Sequence, residues 1–279
     1  MPGARFETAL VAFDLSAVSD IMVRWLPGLR RLGTRRLILF HAIPPTEVEE
    51  AIERLYTTIA EEVKRSLRES ALGKLRRYAE ELQRAGFEVE VAEPVFEDPT
   101  RAILGAAERY QADFIVLGSH GRRWLSYLLL GSVAEEVIMR STRPVLVMRP
   151  AKEDGRLILP PDPLRGPLVA VFHSGAPARG LAECLLTVAA RAKVETIVIY
   201  VHEDEAAEPG EEVLQTLERL RGEGVEVRYR VAGDDPKAVL RSAEEARATL
   251  IILPSPRDSA APFVDTVVRH SKTHILVCP

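Results

Sequence analysis

Short apolar-rich runs, most of them without an interrupting polar residue, alternate along this chain with longer segments in which apolar residues recur every three or four positions. The runs are residues 10–13, 37–40, 86–91, 114–117 and 144–147 in the first half, and 168–171, 197–200, 224–229, 250–253 and 274–277 in the second. Several consist of valine, isoleucine and leucine without alternation, a pattern typical of parallel strands buried on both faces. The periodic segments between them predict helices, so strand and helix alternate as in a doubly wound α/β fold.

The two sets of runs correspond, which makes the chain an internal repeat of about 140 residues. LVAF at residues 10–13 recurs as LVAV at 168–171, for example. We therefore predict an α/β protein of two tandem, doubly wound, five-stranded parallel-sheet domains, Rossmann-like in type. The predicted bounds are 1–150 for the first domain, 151–166 for a proline-rich linker and 167–279 for the second domain.

The first half carries an additional helical segment between its second and third strands, residues 46–85. As one rod this segment would be about 60 Å long, too long for a domain of this size. The apolar positions change phase by a five-residue step near Gly73, so we expect a break between Ser66 and Gly73 and two helices. The extra helix, 46–68, has two open roles: it covers its own core, or it forms a lid or a dimer surface.

Composition acts mainly by exclusion. Of the 279 residues, 47% are hydrophobic and 28% are charged, and the net charge is -4. Such a chain is an ordinary globular protein with no overall attraction for nucleic acid or an anionic membrane. The two cysteines, Cys184 and Cys278, are far apart in the sequence, which favours a reduced environment over a disulfide framework or metal site. The sequence contains no run of about 18 apolar residues, the length that a membrane-spanning helix needs. We therefore expect a cytoplasmic protein.

Candidate chemistry comes from the segment after the fourth strand of the first half, VLGSHGRRWLSYLLLGSVAEEV. Gly118 ends the strand, Gly121 follows it, and Gly131 and Ser132 precede a helix at residues 133–140. Glycine lets the backbone take left-handed angles and approach a ligand closely. The first turn of a helix offers unpaired N–H groups and a partial positive charge. The pattern therefore favours a phosphate site, beside which Arg122 either clamps the anion or stays solvated.

Two structural explanations compete with a ligand site. Ser132 and Glu135 have the spacing of a capping box, in which the serine hydroxyl caps the helix and the glutamate bonds back to the serine amide. Each glycine is alternatively a simple turn residue. The two roles of Ser132 are compatible, because phosphate would bind backbone amides while the hydroxyl alternates.

The spacing Gly118-x-x-Gly121, nine residues, then Gly131-Ser132 resembles the ATP-binding signature of the universal stress protein family. The resemblance covers nearly the whole chain, as two tandem domains. It implies a five-stranded parallel sheet of order 3-2-1-4-5, with the ligand at the switch point between strands one and four. It also implies ATP as the ligand, with magnesium as a candidate companion ion whose ligands the sequence does not identify.

The resemblance implies further contacts to an adenine nucleotide. Asp14, just after strand one, would contact the adenosine portion, and backbone groups from His41 to Ile43 would line the adenine pocket. A turn or helix-cap role is the alternative for Asp14. The full set of expected nucleotide-binding residues is Ala12, Asp14, His41, Ala42, Ile43, Gly118, Ser119, Gly121, Arg122, Gly131, Ser132 and Val133.

The second half lacks this signature. Phe172 aligns with Asp14, Pro254 stands at the first glycine, and Ala261-Pro262 replaces the final glycine and serine. Prolines remove N–H donors from the stretch that would hold phosphate. We therefore expect a degenerate copy that does not bind ATP and packs against the first half. The first half itself departs from the family pattern after strand three, where Gly-x-Pro is frequent and Glu97-Asp98-Pro99 stands here.

No nucleophile–base pair, carboxylate pair or metal-ligand spacing is recognisable, so no catalytic residue is assigned and any hydrolysis should be slow. The leading hypothesis is an ATP-binding universal stress protein that uses the nucleotide as a regulatory or sensing ligand. The alternatives are a non-enzymatic interaction scaffold with a vestigial nucleotide site, and a slow ATPase or phosphotransferase. The resemblance implies that the last strand of each half forms an edge that pairs across the repeats, which would protect two apolar edges, and a homodimer of two such chains stays open. The expected partners include neither nucleic acid nor a membrane.

Overall fold

The computed structural model describes residues 4–46, 60–119, 130–153, 156–158, 162–256 and 258–279. The strands are β1 (Thr8–Ala12), β2 (Arg36–Phe40), β3 (Ala42–Ile43), β4 (Glu88–Val91), β5 (Val95–Phe96), β6 (Phe114–Gly118), β7 (Val145–Met148), β8 (Ala151–Glu153), β9 (Arg156–Ile158), β10 (Leu168–His173), β11 (Thr196–Val201), β12 (Val227–Ala232), β13 (Leu250–Pro254) and β14 (His274–Cys278). The helices are α1 (Ala17–Trp25), α2 (Ala60–Arg84), α3 (Pro99–Arg109), α4 (Ser132–Arg140), α5 (Ala178–Ala192), α6 (Glu211–Gly222), α7 (Pro236–Glu245) and α8 (Ala261–His270). A 3-10 helix, Leu26–Leu32, continues from α1.

Ten strands form one sheet in the order β12-β11-β10-β13-β14-β7-β6-β1-β2-β4. Counted along each half, this is the order 3-2-1-4-5 twice, and the neighbours within each half are parallel. Strand and helix alternate because each parallel step needs a crossover, and the helices supply it. The predicted fold class, two tandem doubly wound parallel sheets, is confirmed.

The two halves meet at their last strands. β7 and β14 pair antiparallel, with Leu146 opposite Leu276, and so join the two five-stranded sheets into one. Every residue of both strands is buried. The pairing satisfies the backbone groups of two apolar strands that would otherwise be open sheet edges.

Two apolar layers cover the sheet, one on each face, and each contains residues from both halves. Side chains alternate between the faces along a strand, so Val11 lies in one layer and Leu10 in the other. The helices α1, α2, α5 and α6 contribute to the first layer, and α3, α4, α7 and α8 to the second. The central strand β1 therefore has no solvent-facing side.

Polar contacts also join the halves beside β7 and β14. Arg149, which is 4% exposed, donates from its amide to Nδ1 of His274 at 3.0 Å and from its guanidinium to the carbonyl of Val268 in the last turn of α8. Burial lowers the pKa of Arg149 to about 10. The negative end of the α8 dipole offsets part of the cost of burying this cation. On the same side, Arg269 pairs with Glu135 of the opposite half.

The long helix of the first half has no break at the predicted place. α2 runs without interruption over 25 residues, through both Ser66 and Gly73. The predicted break is wrong because the buried stripe uses Ala71, 5% exposed, rather than Leu72, so the stripe continues through Leu75, Ala79 and Leu82 at helical spacings of four and three residues. Gly73 is exposed, and nothing lies within 4 Å of the place a Cβ would occupy. Residues 47–59 of the predicted extra helix lie outside the described residues.

The connector between the halves has secondary structure of its own. β8 and β9 pair antiparallel, with Lys152 opposite Leu157. After them, Asp162 accepts a hydrogen bond from the amide of Leu164 at 3.0 Å and lies 3.7 Å from Arg31 of the first half. Leu164 is 1% exposed in the apolar layer that both halves share. The connector is thus fastened to the first half and packed under the junction.

The start of α4 differs from the capped helices. Its N-cap is Gly131, and Ser132 is the first helical residue. The capping box predicted for Ser132 and Glu135 is therefore wrong: the Glu135 amide bonds to the carbonyl of Gly131 at 3.0 Å, and its carboxylate pairs with Arg269. Side-chain caps are present at α1, α3 and α7, from Ser16, Asp98 and Asp235.

The packing of β14 predicts that shortening one of its side chains destabilises the protein. Leu276 is 2% exposed, so Leu276→Ala should lower the free energy of unfolding by about 2–5 kcal/mol through the cavity that it leaves. Leu214 on α6 is 45% exposed, and Leu214→Ala should change it by less than about 0.5 kcal/mol. Urea unfolding followed by circular dichroism measures both. Equal losses in the two variants would contradict the packing described at the junction.

The start of α4 gives a second prediction. Ser132→Ala should leave the free energy of unfolding within about 0.5 kcal/mol of wild type, because the hydroxyl stands one residue past the N-cap. Asp98 Oδ1 accepts from the amide of Arg101 at 2.9 Å, so the comparison variant Asp98→Ala should cost about 0.5–2 kcal/mol. Both are measured by the same urea titration. A loss of about 1 kcal/mol or more for Ser132→Ala would restore the serine as the cap.

Candidate functional site

A crevice is expected where β1 passes between β2 and β6. Ala12 at the end of β1 pairs with Phe40 on one side and with Leu117 on the other, all in parallel. α1, which follows β1, packs on one face of the sheet, and α4, which follows β6, packs on the other. The two connections therefore separate at the carboxyl ends of these strands, as at the ligand site of other doubly wound sheets.

Backbone hydrogen bonds fix the end of β6 against the start of α4. The amide of Gly131 donates to the carbonyl of Ser119 at 2.8 Å, and the amide of Ser119 donates to the carbonyl of Met148 at 2.9 Å. Ser119 is fully buried, whereas Ser132 is exposed. The two glycine segments, although separated in the sequence, thus meet at the carboxyl edge of the sheet.

The first turn of α4 supplies the donors of this corner. The first bond of the helix ladder runs from Glu135 to Gly131, so the amides of Ser132, Val133 and Ala134 precede it and have no acceptor within the helix. They lie at the positive end of the helix dipole. An anionic group is the kind of ligand that such an end binds.

The two described glycines of the signature have ordinary backbone angles. Gly131 has φ -68° and ψ 144°, and Gly118 lies in the extended strand β6. Within the described ranges, glycines with positive φ are Gly33, Gly86 and Gly224. The expectation of left-handed angles is therefore wrong for Gly118 and Gly131, and their remaining contribution is the absence of a side chain. Three further residues of this loop, His120, Gly121 and Arg122, lie outside the described residues.

Asp14 is anchored at the other side of the crevice, directly after β1. Its Oδ1 accepts from the amide of Ser16 at 3.1 Å, from the hydroxyl of Ser16 at 2.8 Å and from the hydroxyl of Ser19 at 2.7 Å. Asp14 is partly exposed as a residue, although its Oδ2 atom is buried, and Ser19 is fully buried. The turn role considered for Asp14 is thus present. It also fixes the direction of the carboxylate.

A third wall follows β2. Nδ1 of His41 lies 2.8 Å from the carbonyl of Phe13, so this buried ring donates to the end of β1. Ala42 and Ile43 form β3, which pairs in parallel with β5 through Val95 and Phe96. His41, Ala42 and Ile43 therefore continue the carboxyl edge after β2, and the histidine ring has a structural role. The acidic motif at residues 97–99 is accounted for by the Asp98 cap on α3.

Sequence reasoning missed the contacts that α2 makes with the turn after β1. Nζ of Lys74 donates to the carbonyl of Leu15 at 2.6 Å, and the hydroxyl of Tyr78 donates to Asp20 at 2.5 Å. Burial and the hydrogen bond to Asp20 raise the pKa of Tyr78 above its ordinary value. The sequence carries no local signal for them, because 59 residues separate Lys74 from Leu15. Ser16 was recognisable as an Asx-turn partner two residues after Asp14.

Several features are noted only for the part of the chain that the structure describes. It contains no group of three His, Cys, Asp or Glu side chains placed to hold a metal ion. It also contains no helix long and apolar enough to cross a lipid bilayer. Cys184 and Cys278 are both buried with free thiols, and burial raises the pKa of Cys278.

Strand register corrects the alignment of the two halves at Asp14. Ala9 pairs with the first residue of β6, and Leu168 pairs with the first residue of β13, so these two residues correspond. Counting five residues forward, His173 rather than Phe172 occupies the position of Asp14. The alignment on LVAF was wrong by one residue, because nothing in an unbroken apolar run marks which face each residue takes.

The corresponding corner of the second half contains bulkier groups. His173 is 8% exposed, and its ring lies 5.0 Å from that of Phe263 in an edge-to-face arrangement. Its Nδ1 accepts from the amide of Gly175 at 2.9 Å, and its Nε2 lies 3.4 Å from Asp234. Phe263 is in the first turn of α8, at the place that Val133 has in α4. The second half therefore has an aromatic ring in that first turn and no carboxylate after its first strand.

Comparison with known proteins bears on the first half. The model of the universal stress protein family matches residues 5–149, just over half of the chain. A universal stress protein of Methanocaldococcus jannaschii is 31% identical over 155 residues, which cover 52% of this chain and 95% of that protein. One of Mycobacterium tuberculosis is 32% identical over 152 residues, which cover 53% of this chain but only 48% of that protein.

The fold extends over the whole chain in one solved relative. The crystal structure of a universal stress protein from Archaeoglobus fulgidus superposes with a TM-score of 0.75, covering 100% of this chain and 98% of that one. Its sequence identity is 24%, so it bears on the fold alone. The fold, the family model and the relative from Methanocaldococcus jannaschii all indicate the same family. The chain belongs to the universal stress protein family.

Proposed function

We propose that the first half binds ATP and uses it as a regulatory or sensing ligand rather than as a rapidly consumed substrate. One observation carries the proposal: the uncapped first turn of α4 and the anchored carboxylate of Asp14 follow β6 and β1, the two strands at the switch point. A doubly wound sheet offers its ligand site between such strands.

The residues present fit the two ends of a nucleotide. The amides of Ser132, Val133 and Ala134 suit the phosphates, and each such contact contributes roughly 0.3–1 kcal/mol at a helix start, up to about 2 when partly buried. Asp14 suits a ribose hydroxyl, because an ionised carboxylate only accepts hydrogen bonds. The backbone from His41 to Ile43 suits the adenine. Magnesium would neutralise phosphate charge. Asp14 would contact such an ion through a water molecule.

The second half has a different part in this proposal. With His173, Pro254 and Phe263 at the corner, residues 167–279 act as a packing partner that does not bind ATP. Residues 1–150 are the nucleotide-binding domain, and 151–166 connect the two. The pairing of β7 with β14 makes this partnership intramolecular, and a dimer of two such chains is the further assembly state to test. We place the protein in the cytoplasm.

Glycine N-caps at two helices provide a matched test. Gly131→Val should abolish ATP binding, because a branched side chain would occupy the place where phosphate approaches the amides of α4. Gly210, the N-cap of α6, has nearly the same backbone angles, φ -61° and ψ 159°, and nothing lies within 4 Å of its Cβ position. Gly210→Val should bind as wild type does, since both sites accept valine without backbone strain.

Calorimetric titration with ATP, with and without magnesium, measures these affinities, and thermal unfolding checks that all three proteins are folded. Equal affinity of Gly131→Val and wild type would mean that the phosphates bind elsewhere. A wild-type protein that neither releases heat nor shifts its melting temperature at millimolar ATP would remove the sensing function and leave the scaffold hypothesis.

The proposal also predicts slow chemistry. Under single-turnover conditions with labelled ATP, the rate of phosphate release should stay well below about one per second, the low end of ordinary enzyme turnover. The reason is that Asp14, the carboxylate of this corner, is committed to Ser16 and Ser19 through the oxygen Oδ1. Faster release would favour the ATPase or phosphotransferase alternative.

A further inference from the structure

We propose that Lys74 of α2 is a positioning residue that holds the turn carrying Asp14 in the form that binds a nucleotide. The inference rests on the proposed function, in which Asp14 contacts the ribose. Among the described residues, Lys74 bonds to the carbonyl of Leu15 and not to a group assigned to the ligand. It acts through the backbone of residues 15 and 16.

The peptide unit between Leu15 and Ser16 links the two side chains. Its N–H donates to Oδ1 of Asp14 at 3.1 Å, and its carbonyl accepts from Nζ of Lys74 at 2.6 Å. A peptide unit is planar and rigid, so its N–H and C=O rotate together. Lys74 and Asp14 therefore hold one unit from its two ends, and loss of the lysine contact frees the unit to turn away from the carboxylate.

The turn needs such support because its backbone is strained. Leu15 has φ 60°, in the left-handed region that a residue with a side chain seldom enters. Strained conformations of this kind persist only where surrounding contacts over-determine them. The hydrogen bond from Lys74 is one of these contacts, and Leu15 is itself buried at 7% exposure.

Tyr78 fixes α2 in the place from which Lys74 acts. It lies one helical turn after Lys74, on the same face. Its hydroxyl donates to Asp20 at 2.5 Å, and its ring lies 5.0 Å from that of Phe13. α2 thus contacts residues 13–20 at three points: the ring of Phe13, the carbonyl of Leu15 and the carboxylate of Asp20. We call these three contacts the clamp.

The clamp is found in the half that carries Asp14. Gly86 and Gly224 end the corresponding helices with positive φ, and Lys74 and Glu212 each lie twelve residues before them. α6 is only 12 residues long and begins next to Glu212. At the position of Tyr78 stands Thr216, whose hydroxyl donates to the carbonyl of Glu212 in its own helix. The half without the carboxylate also lacks the clamp.

Three variants of the full chain test the inference. Lys74→Met removes the donor and keeps the apolar stem, and Lys74→Arg keeps a cationic donor. Lys64→Met removes the same charge from the same helix at a residue that pairs with Glu61. ATP affinity by calorimetry should fall about tenfold in Lys74→Met, the effect of one hydrogen bond to a charged group. It should recover most of its value in Lys74→Arg and stay within about twofold in Lys64→Met. Should Lys74→Met not fold, the shorter and uncharged Lys74→Gln takes its place.

A second readout separates positioning from general stability. Wild type should bind ATP more tightly than 2′,3′-dideoxy-ATP, which lacks the hydroxyls that Asp14 would accept, and Lys74→Met should lose most of this preference. Equal weakening of both nucleotides would overturn the inference, as would an unchanged affinity for ATP.

A third readout needs no nucleotide. Hydrogen exchange of the segment 14–20, followed by mass spectrometry, should be faster in Lys74→Met than in wild type or Lys64→Met. If wild type fails to bind ATP, the proposed function is lost. The hydrogen exchange of residues 14–20 then tests the clamp without a nucleotide. Unchanged exchange in Lys74→Met would then overturn it.

Discussion

A strand that is buried on both faces presents chemistry only where it ends, and β1 is such a strand. Ala9, Leu10 and Val11 have no exposed surface, and β2 and β6 take up the backbone groups on either side. The first polar side chain after this strand, Asp14, therefore lies at the carboxyl edge of the sheet, where doubly wound sheets bind their ligands. The same constraint applies to β6, whose extended glycine and buried Ser119 lead to the start of α4. The location of the candidate site follows from the burial of the two central strands.

The sequence allowed the fold and one side of the site to be predicted because their signals are local. Unbroken apolar runs mark buried parallel strands, and glycines before a helix indicate a place where a ligand can approach the backbone. The break in α2 was predicted wrongly because Leu72, the larger apolar residue, was assigned to the buried stripe. The smaller Ala71 is the residue that is buried there. The cap was misplaced by one residue, since Gly131 takes the N-cap position. These errors are of one or two residues, the distance over which apolar patterns fail to discriminate.

Other features were beyond sequence reasoning because they depend on residues distant in the chain. A slip of one residue in a strand exchanges its two faces, and only pairing with β6 and β13 shows that Asp14 corresponds to His173. The contact of Lys74 with Leu15 spans 59 residues and involves a backbone carbonyl, which carries no side-chain signature. The contact of α2 with the turn after β1 was therefore invisible in the sequence, whereas Asp14 and its neighbour Ser16 were visible.

The retention of a second half without a phosphate loop has a physical reason that is independent of ATP. Every residue of β7 is buried, and its outer edge pairs with β14. Without the second half, this strand would present an apolar edge with unpaired backbone groups, the kind of edge that promotes aggregation. The corner at His173 and Phe263 can fill with side chains at no cost to this pairing, because it lies at the strand ends and the pairing runs along β14. The last strand and the core of the second half therefore support the fold of the first half, whether or not the corner at His173 binds a ligand.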